Sequence, residues 1–246
     1  MAASEKHGQK KIYRGAYDYI SDDKSYAEEI FNVYKDVKES TLTFESQLTC
    51  RTPSGEFLLV STEVIANKDY IPIKVTIKKS LGKEAAEERF SYDNRTNRLK
   101  YVFECNGEEF TSENPTTPKF HIATPTAVTG VLFTKANRIS INSRVLQNVI
   151  TSTNNWDYKS EPVTKVIALE RLSLTSCPIK IKDKSMEGTH FAIYKSEGDS
   201  VSEQNTKSTE VINVFLSKYD GIPYLIEENK NNRIEIKYLN NLDENK

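Results

Sequence analysis

The feature that most constrains this chain is a period of two. From residue 41 onward, segment after segment alternates apolar with polar side chains, the pattern of strands with one dry face and one wet face. In TLTFESQLTC, Leu42, Phe44, Leu48 and Cys50 share a face. In EFLLVSTEVIA, after the turn signal Pro53-Ser54-Gly55, the apolar positions are Leu58, Val60 and Val64. In IPIKVTIKK, Ile71, Ile73, Val75 and Ile77 alternate with Pro72, Lys74, Thr76 and Lys78. RFSYD, RLKYVFEC (Leu99, Tyr101, Phe103, Cys105) and EEFTS follow, divided by Asp93-Asn94 and Asn106-Gly107. Asn-Gly between alternating runs is the strongest short hairpin signal, so an antiparallel meander is expected.

The pattern weakens in PTTPKFHIATPTAVTG, where Pro115, Pro118 and Pro125 would interrupt a central strand. The next segment, TAVTGVLFTKAN, is the best helix candidate, with Thr126 as N-cap and Ala127, Val131, Leu132 and Ala136 on one side. Gly130 and the β-branched residues leave a further strand as the alternative. Alternation then resumes in RVLQNVITS, TKVIALERLSL, PIKIKD, THFAIYKS, EVINVFLSK, IPYLIEEN and RIEIKYL, while residues 198–210, nearly devoid of apolar side chains, read as a mobile loop. The reading is a single mainly-β domain of roughly a dozen strands over 26–240. Residues 1–25 precede it as a polar arm or loosely attached first strand, and 241–246 form a polar tail. Long amphipathic helices never alternate with the strands, which disfavours a parallel βαβ fold.

Composition excludes several functions. Lys and Arg number 34 against 35 Asp and Glu, so the chain lacks the positive excess that drives nucleic-acid binding. No apolar run approaches the ~18–20 residues of a membrane-spanning helix. Nine glycines, without a phosphate-cradling motif or a nucleophile elbow, argue against nucleotide-dependent catalysis, and no cofactor is expected. His7, His121 and His190 have no metal-ligand spacing, so no metal site is expected, although His121 and His190 are the first suspects should a β-barrel enzyme assemble its acid–base pair only in the fold. Adjacent acids such as Glu87 and Glu88 fall on opposite faces of a strand. Arg138, Arg144 and Arg171 are candidates for an anion clamp, against the commoner reading of arginines on wet faces. Cys50, Cys105 and Cys177 lack C-x-x-C spacing. Cys50 and Cys105 would bridge neighbouring strands in an oxidising compartment, against the simpler reading of buried thiols.

Ile-Pro recurs at strand entries, in KDYIPIKVTIKK (68–79) and YDGIPYLIEEN (219–229), with a shorter echo in SCPIKIKD. The C-terminal stretch NVFLSKYDGIPYLIEENKNNRIEIKYL resembles the ending of bacterial envelope proteins of the LolA/LolB-like half-barrel superfamily and related families, over about the last 35 residues and more faintly over 57–80. The resemblance implies a long curved antiparallel sheet around a greasy interior, partly closed by one or two short helices and binding a lipid or other hydrophobic molecule. TAVTGVLFTKAN would be the lid.

Thirteen Tyr, ten Phe and one Trp fall largely on alternating positions. In a closed sandwich they would fill the core, whereas in an open curved sheet they would line a ligand cavity, and Phe44, Phe57, Tyr101, Phe103, Phe191 and Phe215 are its candidate walls. Trp156, flanked by Asn154, Asn155 and Asp157, is a candidate rim or lid contact or a packed structural residue. The expected fold is a half-barrel or open barrel. The expected function is non-enzymatic binding or carriage of a lipid-like ligand, periplasmic or in the cell envelope if a signal segment has been removed and otherwise cytoplasmic. The alternative is a structural or protein-interaction domain with a packed core, and no particular protein partner emerges.

Overall fold

A computed structural model describes residues 8–136, 139–141, 143–194, 211–218 and 221–243. The period-two segments become strands. β1 (Gln9–Ser21), β2 (Lys24–Asp36), β3 (Thr41–Arg51), β4 (Phe57–Asn67), β5 (Pro72–Leu81), β6 (Glu84–Asp93), β7 (Arg98–Cys105) and β8 (Glu108–Pro115) run as an antiparallel meander. A short β9 (His121–Ile122) is followed by two single helical turns, α1 (Ala127–Gly130) and α2 (Phe133–Ala136). The chain continues with β10 (Arg144–Thr151), β11 (Val163–Arg171), β12 (Cys177–Ile181), β13 (Lys184–Tyr194), β14 (Val211–Ser217), β15 (Pro223–Glu227) and β16 (Asn232–Asn241).

All sixteen described strands belong to one sheet, in the order β8-β7-β6-β5-β4-β3-β2-β1-β16-β15-β14-β13-β11-β10-β9, with β12 paired to β13. Neighbours are antiparallel except β9 and β10. Asn106 and Gly107, both at positive φ, make the two-residue turn that sets Cys105 opposite Glu108. Of the two readings of residues 1–25, an arm or a first strand, residues 9–21 form the strand: β1, thirteen residues held by β2 on one side and β16 on the other. Its first half is mostly polar and at least partly exposed, while from Gly15 to Ile20 both faces of the strand are buried.

Inward-facing residues align across β2–β7 in rows. One runs Phe31, Ser46, Thr62, Ile77, Glu88, Phe103; the next runs Val33, Phe44, Val64, Val75, Phe90, Tyr101. All twelve are buried, so the sheet is curved around its own core. Where its two ends approach, Tyr92 packs edge-on against Phe120 (4.9 Å between ring centres), and the connector 152–162 covers the inward side of β7 and β8. Asn154 ties this closure. Its amide donates to the Tyr101 hydroxyl (3.1 Å) and the Ser160 carbonyl (2.7 Å), while its oxygen accepts from the Lys159 and Ser160 amides (2.6 and 3.3 Å). A second cluster sets Val131, Phe133 and Ile139 against Leu169, Phe191, Ile193, Val214 and Leu216.

TAVTGVLFTKAN becomes two separate turns. Ala127, Val128 and Thr129 are buried, so α1 acts as an internal plug and not as a surface lid. Thr126 holds the N-cap position without a side-chain cap bond, its hydroxyl pairing with that of Thr129 instead. The expected loop 198–210 and Arg138 lie outside the described residues.

Candidate functional site

The sequence candidates do not converge on one cavity. Tyr101 and Phe103 are fully packed, Tyr101 against Phe90 (4.8 Å) and Phe103 near Tyr158 (6.1 Å). Phe191 belongs to the second cluster. Phe215 stacks on His190 at 4.2 Å, and Trp156 packs partly buried against the main core from the β10–β11 connector. Phe57 is 62% exposed at the start of β4, beside Arg51. Phe44 lines a recess of about 500 Å³ with a solvent opening, described below, and Phe191 borders a smaller one of about 180 Å³.

Other sequence candidates also separate. His121 contacts Phe133 and α1, whereas His190 contacts Phe215 and Asn213, so the two histidines have separate surroundings. Arg144 pairs with Glu170 and lies over the Tyr194 ring, and Arg171 donates to the Ser173 and Leu174 carbonyls, so neither forms a clamp. The three thiols are free, and Cys50 on β3 is separated from Cys105 on β7 by three intervening strands, correcting the neighbouring-strand pairing. Among the described residues no group of three or more His, Cys, Asp or Glu could hold a metal, and no helix is long and apolar enough to cross a membrane.

The recess lies at one end of the curved sheet, where β1 begins, β2 turns into β3, β4 turns into β5, and β15 and β16 arrive. Its volume is about 500 Å³, within the ~300–1,000 Å³ of small-molecule sites. Ile12, Val33, Phe44 and Ile222, all buried core residues, contribute to its lining with Leu42 and Tyr13, while Lys35, Asp36, Lys68 and Asp243 supply its charges. Local sequence explains the opening. β1 carries a register shift between Lys11 and Tyr13, and β4 and β5 another at Ile65/Ala66, which bend the strands away from tight pairing at this end. Tyr70, in the β4–β5 turn, lines the recess from a left-handed backbone (φ 59°) that costs a side-chain-bearing residue ~1–2 kcal/mol. The Asn67 side chain fixes that turn by accepting from the Asp69 and Ile71 amides (2.9 and 3.0 Å). A larger recess, about 550 Å³ along the β5–β6 hairpin, is lined by Leu59, Ala85, Ala86 and Cys105 together with Lys78, Lys79, Glu87 and Glu104.

Sequence reasoning missed the buried polar groups of the interior. Glu29, on the inward face of β2, is 0% exposed. It accepts from the Tyr19 hydroxyl (2.6 Å) and from the amides of Ala127 (2.7 Å) and Val128 (3.3 Å), so it anchors α1 inside the barrel. Burial raises its pKa to about 7, against the lowering effect of these hydrogen bonds. His121 meets the other end of α1, its Nε2 donating to the Gly130 carbonyl at 3.2 Å, and burial lowers its pKa to about 4. Glu88 is likewise buried, bonded to Tyr101 (2.9 Å) and paired with Lys79 (3.0 Å). The signal was present: in KSYAEEIFNVYKD, Glu29 shares its strand face with Ala27, Phe31 and Val33.

These features define a class, a β-barrel-like sheet protein with a filled interior and an apolar recess at one end. No family profile matches the chain, and no curated protein matches it. Its fold is similar to those of solved structures, among them these two. One is a β-barrel-like protein of the DUF1849 domain of unknown function from Brucella abortus, at TM-score 0.53 and 13% identity, covering 95% of this chain and 98% of that one. The other is a DUF1089 family protein from Pseudomonas aeruginosa, at TM-score 0.51 and 11% identity, covering 85% and 91%. At such identities the likeness is one of fold.

Proposed function

We propose that this chain is a non-enzymatic binding protein for a hydrophobic, lipid-like small molecule, held in the recess at the end of the sheet. The observation that carries the reading is that Val33, Phe44 and Ile222, members of the main core, also line an opening to solvent. An apolar chain laid against these residues loses contact with water, a gain of ~25 cal/mol per Å² of apolar surface removed. The strained Tyr70 on the same wall supports it, since backbone strain concentrates at ligand clamps. The LolA/LolB-like resemblance of the C-terminal stretch supports a lipid-type ligand and a periplasmic or envelope setting.

Displacement of a fluorescent fatty-acid probe tests the reading. Saturable uptake by the wild type, lost in a Leu42→Trp variant that fills the recess and keeps its cooperative unfolding, is the expected result. A folded wild type without uptake would leave the second reading, a structural or interaction domain. The observation favouring that alternative is the packed interior, where Tyr101 and Phe103 leave no wall exposed.

A further inference from the structure

The charges around the recess narrow the ligand class, and the inference drawn from them rests on the hydrophobic-binding reading above. Lys35 follows Phe31 and Val33 on the inward side of β2, at the position where the apolar row reaches the mouth. Lys68, in the β4–β5 turn, lines the same recess. Of the two acids of the wall, Asp243 is neutralised by a lysine, while Asp36 is held within its own turn and keeps its charge. Asp36 accepts from the Glu39 amide within its own turn (3.0 Å), and Asp243 pairs with Lys10. Lys10, directly opposite Lys35 across β1 and β2, is the cation that Asp243 neutralises. Among the described residues, neither Lys35 nor Lys68 forms an ion pair. By contrast, at another recess of about 430 Å³, Lys182 pairs with Asp18 and Lys237 with Glu28.

We infer that the recess takes a single-chain anionic amphiphile, its chain on the apolar floor and its carboxylate between Lys35 and Lys68. A neutral chain would leave both rim lysines without an anionic partner, whereas a carboxylate accepts charge-assisted hydrogen bonds from their ammonium groups. The preference is expected to fade with salt, because rim charges remain exposed to screening.

The test compares dodecanoate with dodecanol, below their aggregation limits, on wild type and on the Lys35→Gln/Lys68→Gln double variant. The expected result is that wild type binds the carboxylate about tenfold more tightly than the alcohol at low salt, and that the double variant loses this preference while holding the alcohol unchanged. Equal affinities in wild type, or a preference that survives the double substitution, would overturn the anionic assignment and leave the apolar site intact. Failure of both ligands to bind would overturn the recess itself. Sedimentation with phosphatidylglycerol vesicles but not phosphatidylcholine vesicles, without uptake of free dodecanoate, would overturn it in favour of a membrane headgroup.

Discussion

Glu29 and His121 grip opposite ends of the same helical turn. The carboxylate receives the Ala127 and Val128 amides at the start of α1, and the imidazole donates to the Gly130 carbonyl at its end. An acceptor meets the free amides at the start of the turn and a donor meets the free carbonyl at its end, and both groups reach it from the sheet. A four-residue helix has no independent stability. It persists here because strand-borne side chains satisfy its backbone at both ends.

This arrangement predicts opposing pH dependences. Glu29 has its folded pKa raised from 4.5 to about 7, so its stabilising contribution is full below about 4.5 and is lost as pH rises to about 7. His121 has its folded pKa lowered from 6.5 to about 4, so its contribution is full above about 6.5 and is lost as pH falls to about 4. Each shift is worth ~3 kcal/mol at 1.36 kcal/mol per pH unit, and in the wild type the two largely cancel. Urea unfolding of Glu29→Gln, taken as a difference from wild type, should therefore rise with pH between about 4.5 and 7. The His121→Gln difference should fall between about 4 and 6.5. Differences that run in the same direction would show that the two groups do not hold α1 in these protonation states.

Asn154 should control the closure between the ends of the sheet. Its four side-chain hydrogen bonds hold the connector against Tyr101. Asn154→Ala should destabilise by about 2–4 kcal/mol, several bonds at ~0.5–1.5 kcal/mol each with partners left buried. Limited proteolysis should find a new cleavage site within 152–162, and an unchanged digestion pattern would count against this role.

Gly15 should tolerate no side chain. Its place in the inward row opposite Phe31 leaves no room, since a Cβ would run into the Phe31 ring and approach the Tyr238 carbonyl oxygen at 2.8 Å. Gly15→Ala should cost about 1–3 kcal/mol, the usual range for overpacking a core, measured by thermal or denaturant unfolding. A neutral outcome would mean that β1, β2 and β16 can separate freely.

Tyr70 should trade stability for binding. Tyr70→Gly removes ~1–2 kcal/mol of left-handed strain together with a half-buried ring, so stability should change by no more than about 1 kcal/mol while probe affinity in the recess falls. Unchanged affinity, read in the same displacement assay, would remove Tyr70 from the binding wall.

The alternation that fixed β3 to β7 was readable because each residue on a half-buried strand reports its own environment. Register followed from turns such as Asn106-Gly107, whose backbone permits one pairing. Ile73 shows where this reasoning stops. The alternation placed it on the dry face, but the register shift at Ile65/Ala66 pairs Ala66 with Pro72 and Ile65 with Lys74, and Pro72 is buried in its place. A bulge adds one residue to one strand only, and nothing in the local pattern of that strand announces it.

What the sequence determined by itself is therefore the class of structure and the identity of most inward-facing residues, because strand faces obey a local rule. The tertiary structure alone decided whether the aromatics line a void or fill it. That depends on how far the sheet curls, on the connector 152–162 reaching β7, and on α1 entering the interior, all contacts between residues far apart in the chain. The same long-range closure turned Glu29 from one more acid on a polar strand into an interior anchor, and it left the apolar floor near Phe44 open at only one end of the sheet.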